Sequence, residues 1–156
     1  MTKIKNLDEL LNADNINHSI IELDNFIGDI CDYGDEMDKL SEPQKLFYIN
    51  QNLEREVNNG GFNQFFINSS GNYAHETIIS LKAIGADKTA AIVQKAIDQF
   101  PDKIVPKDRE ERTGIVEQIE EVADKIWSEL NKSFFKYEDD LNTLNIEYIK
   151  KHKDSF

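Results

Sequence analysis

Apolar residues recur at steps of three and four along most of this chain, the spacing that places them on one face of an α-helix. The first such segment predicts a helix from about Ser19 to Tyr33, ended by Gly34. Its apolar positions are Ile16, Ile20, Leu23, Phe26, Ile27 and Ile30. No alternating polar and apolar run exceeds four residues, so the pattern predicts no sheet.

A second helix is predicted to open at Ser41. Ser41 and Gln44 have the spacing of a capping box, and Pro43 is tolerated in the first turn. This helix should end at the paired glycines Gly60 and Gly61, because glycine adopts a positive φ at little steric cost. Its inner stripe is Leu46, Phe47, Ile49, Leu53 and Val57.

The stretch from Asn58 to Gly71 departs most from generic helical sequence. Phe62, Phe65 and Phe66 follow the glycines at one-turn spacing, which predicts that the three rings anchor the core together. The surrounding polar side chains are of the types that bond to free backbone groups, so we expect them to cap helix ends. They are Asn58, Asn59, Asn68, Ser69 and Ser70.

Two further helices should follow Gly71 and pack as an antiparallel hairpin, because few residues join them. Gly85 is the expected residue just past the end of the first, and Asp87 the expected cap of the second. The clearest periodicity lies from Ile115 to Leu130 and predicts a core helix. Its expected inner stripe is Ile115, Ile119, Val122, Ile126 and Leu130, joined by Ala123 and Trp127. A final helix should be capped by Asp139.

Together these elements predict an all-α fold: a single compact helical bundle of about six or seven helices spanning residues 1–156. Residues 1–40 should form an acidic helical segment, and residues 107–153 the C-terminal helices.

Charge adds a constraint on partners. Thirty acidic residues against 18 Lys and Arg give a formal net charge of −12. Direct binding to nucleic acid or to an anionic membrane is therefore not expected, because such contacts need Lys and Arg at phosphates. A basic protein is favoured as the partner, and a homodimer is compatible with this composition. With one cysteine, Cys31, and no apolar run of about 20 residues, a cytoplasmic location is expected.

The acids are unevenly distributed. Ten of them, and no Lys or Arg, lie between Asn6 and Asp38. Duplex DNA carries one charge per about 1.7 Å, whereas acids at every third or fourth helical residue give one per roughly 5 Å. Two acidic faces side by side would therefore be needed to imitate DNA. The candidate partner-binding residues are Asp29, Asp32, Asp35, Glu36 and Asp38 in one segment, and Glu117, Glu120, Glu121 and Asp124 in the other.

The glycine and phenylalanine stretch resembles the bacterial DNA mimic protein 19 family, which is large and mostly uncharacterised. The similarity covers about residues 43–101 and continues through Leu81, Ile84-Gly85-Ala86 and Phe100-Pro101. It implies an all-helical fold, and it implies the activity attributed to the family, in which surface carboxylates imitate DNA and occupy a DNA-binding protein. The matched motif residues build the fold and not the charged surface. They are Asn59, Gly60, Gly61, Phe62, Gln64, Phe65, Phe66, Asn68 and Gly71.

No residue pattern predicts catalysis, a metal site or a cofactor. His75-Glu76 begins like a zinc-protease helix, but Ile79 stands where the second histidine is needed. Ser69 and Ser70 lack a Gly-x-Ser-x-Gly frame, and the glycine pair lacks the lysine of a phosphate-binding loop. The chain is therefore expected not to be an enzyme.

Three hypotheses follow. The first is a non-enzymatic acidic protein that occupies the nucleic-acid-binding surface of a basic protein. The second is an immunity-type inhibitor of a nuclease, which would use the same electrostatics. The third is a small-molecule or peptide binder with a pocket at the motif, lined by Phe62, Gln64 and Asn68.

Overall fold

Two helices of 26 residues, α3 (Glu42–Ile67) and α6 (Arg109–Phe134), pack against each other at the centre of the molecule. The computed structural model describes residues 3–156, and within them it has seven α-helices and no strand. The expected all-α single domain is confirmed. The other helices are α1 (Leu7–Leu11), α2 (Ile16–Ile30), α4 (Ala74–Ala83), α5 (Asp87–Ile97) and α7 (Leu141–Lys151).

The core has two parts, and α3 contributes to both. The C-terminal half of α3 packs with α4, α5 and α6 around Phe66 and Trp127. The N-terminal half packs with α1, α2 and α7 around Phe47, and the chain ends with Phe156 buried in this second cluster. Across the described residues, no helix is both long and apolar enough to cross a membrane.

Several local signals are confirmed. The Ser41 hydroxyl accepts from the Gln44 amide while the Gln44 side chain accepts from the Ser41 amide, a complete capping box. After α4, Gly85 has a φ of 82°, and the Gly85 and Ala86 amides donate to the carbonyls of Lys82 and Leu81. This is a Schellman ending. The helices α4 and α5 then pack on each other as predicted.

Other boundaries differ from the prediction. The Asn15 side chain accepts from the His18 amide, so α2 begins at Ile16 and not near Ser19. It ends at Ile30, because Asp32 and Tyr33 take left-handed φ values of 46° and 52°. The chain continues through the 3₁₀ turns Asp32–Gly34 and Met37–Lys39 into α3.

Two predicted helix caps, Asp139 for α7 and Asp87 for α5, were wrong. Asp140, and not Asp139, caps α7 by accepting from the Thr143 amide. Asp139 accepts from the amide and hydroxyl of Thr89 and so satisfies the first turn of α5 across the fold. The residue before α5 is Ala86, and Asp87 makes no capping bond.

The predicted inner face of α6 was partly wrong. Val122 and Ile126 are 66% and 37% exposed, while Ile115 and Ile119 are half-buried at the edge of the core. The helix carries two apolar stripes, and the fold covers the other one. That buried stripe consists of Arg112, Val116, Ala123, Trp127, Leu130 and Phe134.

Candidate functional site

The glycine pair interrupts α3 at one residue only. Gly61 has φ 72° and ψ −172°, a conformation open essentially to glycine alone, and helical structure resumes directly after it. Gly60 does not have a positive φ, so the expectation that both glycines redirect the chain is corrected to Gly61. The break frees the Phe62 amide, which donates to Oδ1 of Asn131 on α6 at 3.0 Å.

The three phenylalanines that follow are core anchors, as predicted. Phe62, Phe65 and Phe66 are at most 1% exposed. The Phe66 ring packs on those of Phe100 and Trp127 at centroid distances of 4.8 and 5.2 Å. Phe62 is wholly buried among these rings, and it is not one of the residues that line the cleft beside the motif.

The turn after α3 is built around Arg112, a residue that the sequence analysis did not single out. Its guanidinium is fully buried and uses all five N–H donors. Desolvation lowers its pKa. The acceptors are the carbonyls of Phe66, Asn68, Pro106 and Lys107 and the Oδ1 of Asn72. A Cβ on Gly71 would lie 2.5 Å from Nε of Arg112, so this glycine is required by close approach.

The sequence does carry a signal for a buried Arg112. It stands four residues before Val116, on the same stripe as Ala123 and Trp127, so a charged residue lies on the buried face of α6. A buried charge needs a full set of hydrogen-bond partners. Sequence alone does not show that a turn 40 residues earlier supplies them.

A polar cleft of about 460 Å³ lies beside the motif, between the α2 turn, α3 and the Ser69–Tyr73 turn. One wall carries Glu56, whose Oε2 accepts from the side-chain amides of Gln64 at 3.0 Å and Asn68 at 2.7 Å. The side chains of these two motif residues therefore orient a carboxylate at the cleft. Asn68 is the residue at which α3 ends, but its side chain does not make the expected capping bond. Further lining residues are Asp24, Tyr33, Asp35, Tyr48, Arg55, Ser69, Ser70, Asn72 and Tyr73.

Asp24 and Arg55 form an ion pair in the cleft that joins α2 to α3. Burial raises the pKa of Asp24, although the Arg55 charge and hydrogen bond act in the lowering direction. Its Oδ1 is buried and has no hydrogen-bond partner among the described residues. The single cation of the cleft is thus engaged by one of its carboxylates.

The N-terminal acidic surface, defined as Asp29, Asp32, Asp35, Glu36 and Asp38, follows from α2 into the next two turns. All but Glu36 are exposed, and Glu36 is half-buried and paired with Lys39. The exposed Tyr33 donates its hydroxyl to Oδ1 of Asp29 at 2.6 Å, and this bond raises the pKa of the tyrosine. The left-handed residues Asp32 and Tyr33 turn this surface toward the cleft, which Tyr33 and Asp35 line.

The α6 acidic surface consists of Glu117, Glu120, Glu121 and Asp124. All four are exposed. None is in an ion pair with another described residue, and Asp124 accepts from the Asn63 side chain at 3.2 Å. These positions lie off the buried stripe, as expected for an outer face.

The two acidic surfaces flank α3. Helices α2 and α6 each pack against α3, and neither is a principal neighbour of the other. Asp24 reaches Arg55 on α3, and Asp124 is joined to Asn63 on the same helix. Each acidic surface thus lies on or next to a helix that packs against α3.

A second concavity, of about 510 Å³, contains Glu54, Tyr137 and Asp140. Burial raises the pKa of Glu54 to about 7, and the nearby charges of Asp24 and Asp140 act in the same direction. The Tyr137 hydroxyl accepts from the Asn58 side chain at 2.7 Å, so Asn58 holds this tyrosine and is not the expected helix cap. Sequence alone did not point to Glu54, because nothing local distinguishes it from other helical acids.

One protein-family model matches most of this chain. The sequence model described as DMP19-like protein matches residues 38–152, from the end of the N-terminal acidic surface almost to the end of the chain. Comparisons with curated proteins and with solved structures find no match.

Proposed function

We propose a function for this chain, which belongs to the DMP19-like protein family. It is a non-enzymatic acidic protein that occupies the nucleic-acid-binding surface of a basic protein. The family membership supports an interaction role by the resemblance to DNA mimics. The surface chemistry of this chain supports the same role independently.

The observation that carries the proposal is the spacing of carboxylates on the α6 acidic surface. Glu117 to Asp124 spans seven helical steps, about 10.5 Å at a rise of 1.5 Å per residue. Four acids within that length give one charge per about 3.5 Å, close to the 3.4 Å spacing of phosphates along one DNA strand. The adjacent pair Glu120 and Glu121 makes this density higher than that of an ordinary amphipathic helix.

The absence of local neutralisation keeps these charges available. Among the described residues, Glu36 is the only member of either acidic surface in an ion pair. Exposed and unpaired carboxylates create a negative potential that speeds encounter with a basic partner. The N-terminal acidic surface, across α3, would supply a second line of charge.

Charge reversal on each acidic surface tests the proposal. The protein is immobilised to capture a native partner, and that partner's affinity is then measured for variants. The α6 variant carries Glu117, Glu121 and Asp124→Lys, and the N-terminal variant carries Asp32, Asp35 and Glu36→Lys. A matched control reverses three exposed acids outside both surfaces, Asp102, Glu138 and Asp154, with the same change in net charge.

Loss of binding in the two surface variants and its retention in the control supports the proposal. Equal loss in all three would indicate only a dependence on net charge. Capture of a nuclease whose cleavage is inhibited would select the immunity-type inhibitor, which uses the same surfaces.

The cleft favours a second candidate function, the binding of a small cationic molecule or of a basic side chain of a peptide. Glu56 and Asp35 line it without an ion-pair partner among the described residues, and the exposed Tyr33 offers an aromatic ring suited to a cation, whereas the Tyr73 ring already has the Lys107 ammonium over it. Amines, guanidines and short basic peptides should then raise the melting temperature of the wild type. They should have no effect on Glu56→Gln, and a full effect on the distant control Glu138→Gln. Equal responses in all three proteins would exclude the cleft.

A further inference from the structure

Glu56 is a carboxylate that the fold orients at the cleft without giving it a cation. Its Oε2 accepts from the side-chain amides of Gln64 and Asn68 at 3.0 and 2.7 Å. Glu56 is half-buried, and no cationic side chain among the described residues pairs with it. Two neutral donors on one oxygen fix the direction of the carboxylate, which is how a preorganised binding group is held.

The glycine and phenylalanine motif also fixes the two amides. The Gln64 side chain lies across Gly60, where an added Cβ would be 2.0 Å from the Gln64 Oε1. Oδ1 of Asn68 accepts from Nη2 of Arg109 at 3.3 Å, so the amide nitrogen of Asn68 is the atom that faces Glu56. Gly60, Gln64 and Asn68 therefore share one task, which is to orient this carboxylate.

We propose that the cleft binds a primary ammonium group in preference to a guanidinium, and that Gln64 and Asn68 are the positioning residues that set this preference. The inference rests on the second candidate function, in which the cleft is a cation site. A carboxylate oxygen has about two acceptor sites, so the two amides fill those of Oε2 and leave Oε1 of Glu56 for the ligand. A guanidinium binds best to both oxygens through its planar fork, whereas an ammonium is a point donor that one oxygen suits.

Other acceptors in the cleft suit the three N–H donors of an ammonium. Ser70 is 7% exposed and donates its proton to the Phe65 carbonyl at 2.7 Å, so its oxygen can only accept from the cleft. The Asp35 carboxylate also lines the cleft and has no ion pair among the described residues. Oδ1 of Asp24 is buried there with no described hydrogen-bond partner, which is unfavourable for an acceptor. Buried acceptors that lack donors favour a ligand that supplies them.

Titration of the full chain with matched small ligands, followed by NMR of the backbone amides, tests the preference. The probes are lysine and arginine with acetylated amino ends and amidated carboxyl ends, and butylamine, which carries an ammonium without a backbone. The wild type should bind the blocked lysine at least about threefold more tightly than the blocked arginine, with shifts at Glu56 and Ser70. Butylamine distinguishes two sources of the ammonium. An affinity equal to that of the blocked lysine indicates a free amine, and a weaker one indicates a lysine of a polypeptide.

Gln64→Met and Asn68→Ala test the positioning role. Each variant frees one acceptor site on Oε2, so the blocked arginine should gain on the blocked lysine by about threefold or more. A loss of stability alone would not change this ratio. Gln94→Met is the matched control, because Gln94 is exposed on α5 and also donates to a carboxylate, Oδ1 of Asp98 at 2.9 Å, outside the cleft. It should keep the wild-type ratio, and circular dichroism verifies that all three variants remain folded.

Three results would overturn the proposal. They are binding of the blocked arginine as tight as that of the blocked lysine, no binding of any probe, and an unchanged ratio in both Gln64→Met and Asn68→Ala. Tight arginine binding that Glu56→Gln abolishes would remove the ammonium preference and retain the cation site. No acid of the α6 acidic surface lines the cleft, so these results are independent of whether that surface occupies a basic partner.

Discussion

Oδ1 of Asn131 accepts the Phe62 amide at 3.0 Å, across the break that Gly61 makes in α3. The bond does for an interrupted helix what a cap does for a helix end, since it satisfies an amide that has lost its intrahelical partner. It also ties the two central helices together at the motif. An added Cβ on Gly61 would lie 3.0 Å from Cγ of Asn131 and closer still to its amide nitrogen.

Gly61→Ala should therefore destabilise the protein by roughly 2 to 3 kcal/mol from backbone strain, with a further penalty from displacing Asn131. Gly85→Ala is a comparison variant with a smaller expected loss, because Gly85 has the positive φ of a helix ending and an added Cβ there meets nothing within 4 Å. Chemical denaturation of both variants measures the difference. Because the Gly61 conformation is open essentially to glycine alone and Gly85 ends α4 in a Schellman turn, a loss at Gly61 no larger than that at Gly85 would contradict both sources of the penalty.

Arg112→Met should destabilise by roughly 3 kcal/mol or more, because it removes the donors to five acceptors in a buried turn. Arg112→Lys should recover only part of this loss, since lysine has three donors and no planar fork. Arg109→Met is the control on the same helix. Arg109 is exposed and donates from Nε to the Ile67 carbonyl and from Nη2 to Oδ1 of Asn68 at 3.3 Å, so its loss should be within about 1 kcal/mol. Similar unfolding free energies for the Met variants would contradict the role of Arg112.

The part of the fold that sequence predicted is the part fixed by neighbours in the chain. The Ser41 hydroxyl accepts from the amide of Gln44, three residues away, and the Gly85 amide donates to a carbonyl of α4, the helix that it ends. The errors occur where the partner is distant. Asp139 caps Thr89 from 50 residues away, and Arg112 is satisfied by a turn that follows another helix.

The misassigned face of α6 has a related cause. The helix has apolar residues at both 115, 119, 122, 126 and 116, 123, 127, 130, and either set has helical spacing. Periodicity identifies a stripe but does not state which neighbour covers it. Sequence predicted which acids lie on the outside of the helices. It did not predict the cleft or the role of Glu56, because these depend on contacts between segments that are distant in the chain.

Glu54 predicts a pH dependence of stability. Its pKa is about 7 in the folded protein against a usual value of 4.5, so the folded state holds a proton that the unfolded state loses first. Its contribution to stability should therefore fall as pH rises from about 4.5 to 7 and stay low above that, by at most about 3 kcal/mol. The raised pKa of Asp24 acts in the same direction.

Glu54→Gln isolates this contribution. The variant should be more stable than the wild type at pH 8 and should lose that advantage near pH 4.5, as measured by urea denaturation at both pH values. Glu56→Gln provides a comparison, because the Glu56 carboxylate is held by two side-chain amides. A constant difference between Glu54→Gln and the wild type across this range would contradict a buried, protonated Glu54.

Competition with duplex DNA for the captured partner tests most directly whether the acidic surfaces imitate DNA. The partner is bound to labelled duplex, the protein is titrated in, and the release of DNA is followed at two salt concentrations. If both occupy one basic surface, the protein should displace DNA completely, with an apparent affinity that falls as salt rises because exposed charges are screened. The Glu117, Glu121 and Asp124→Lys variant should displace it poorly, and the control reversed at Asp102, Glu138 and Asp154 should displace it well. A stable complex that contains partner, DNA and protein together, unaffected by salt and by the α6 reversals, would contradict DNA mimicry.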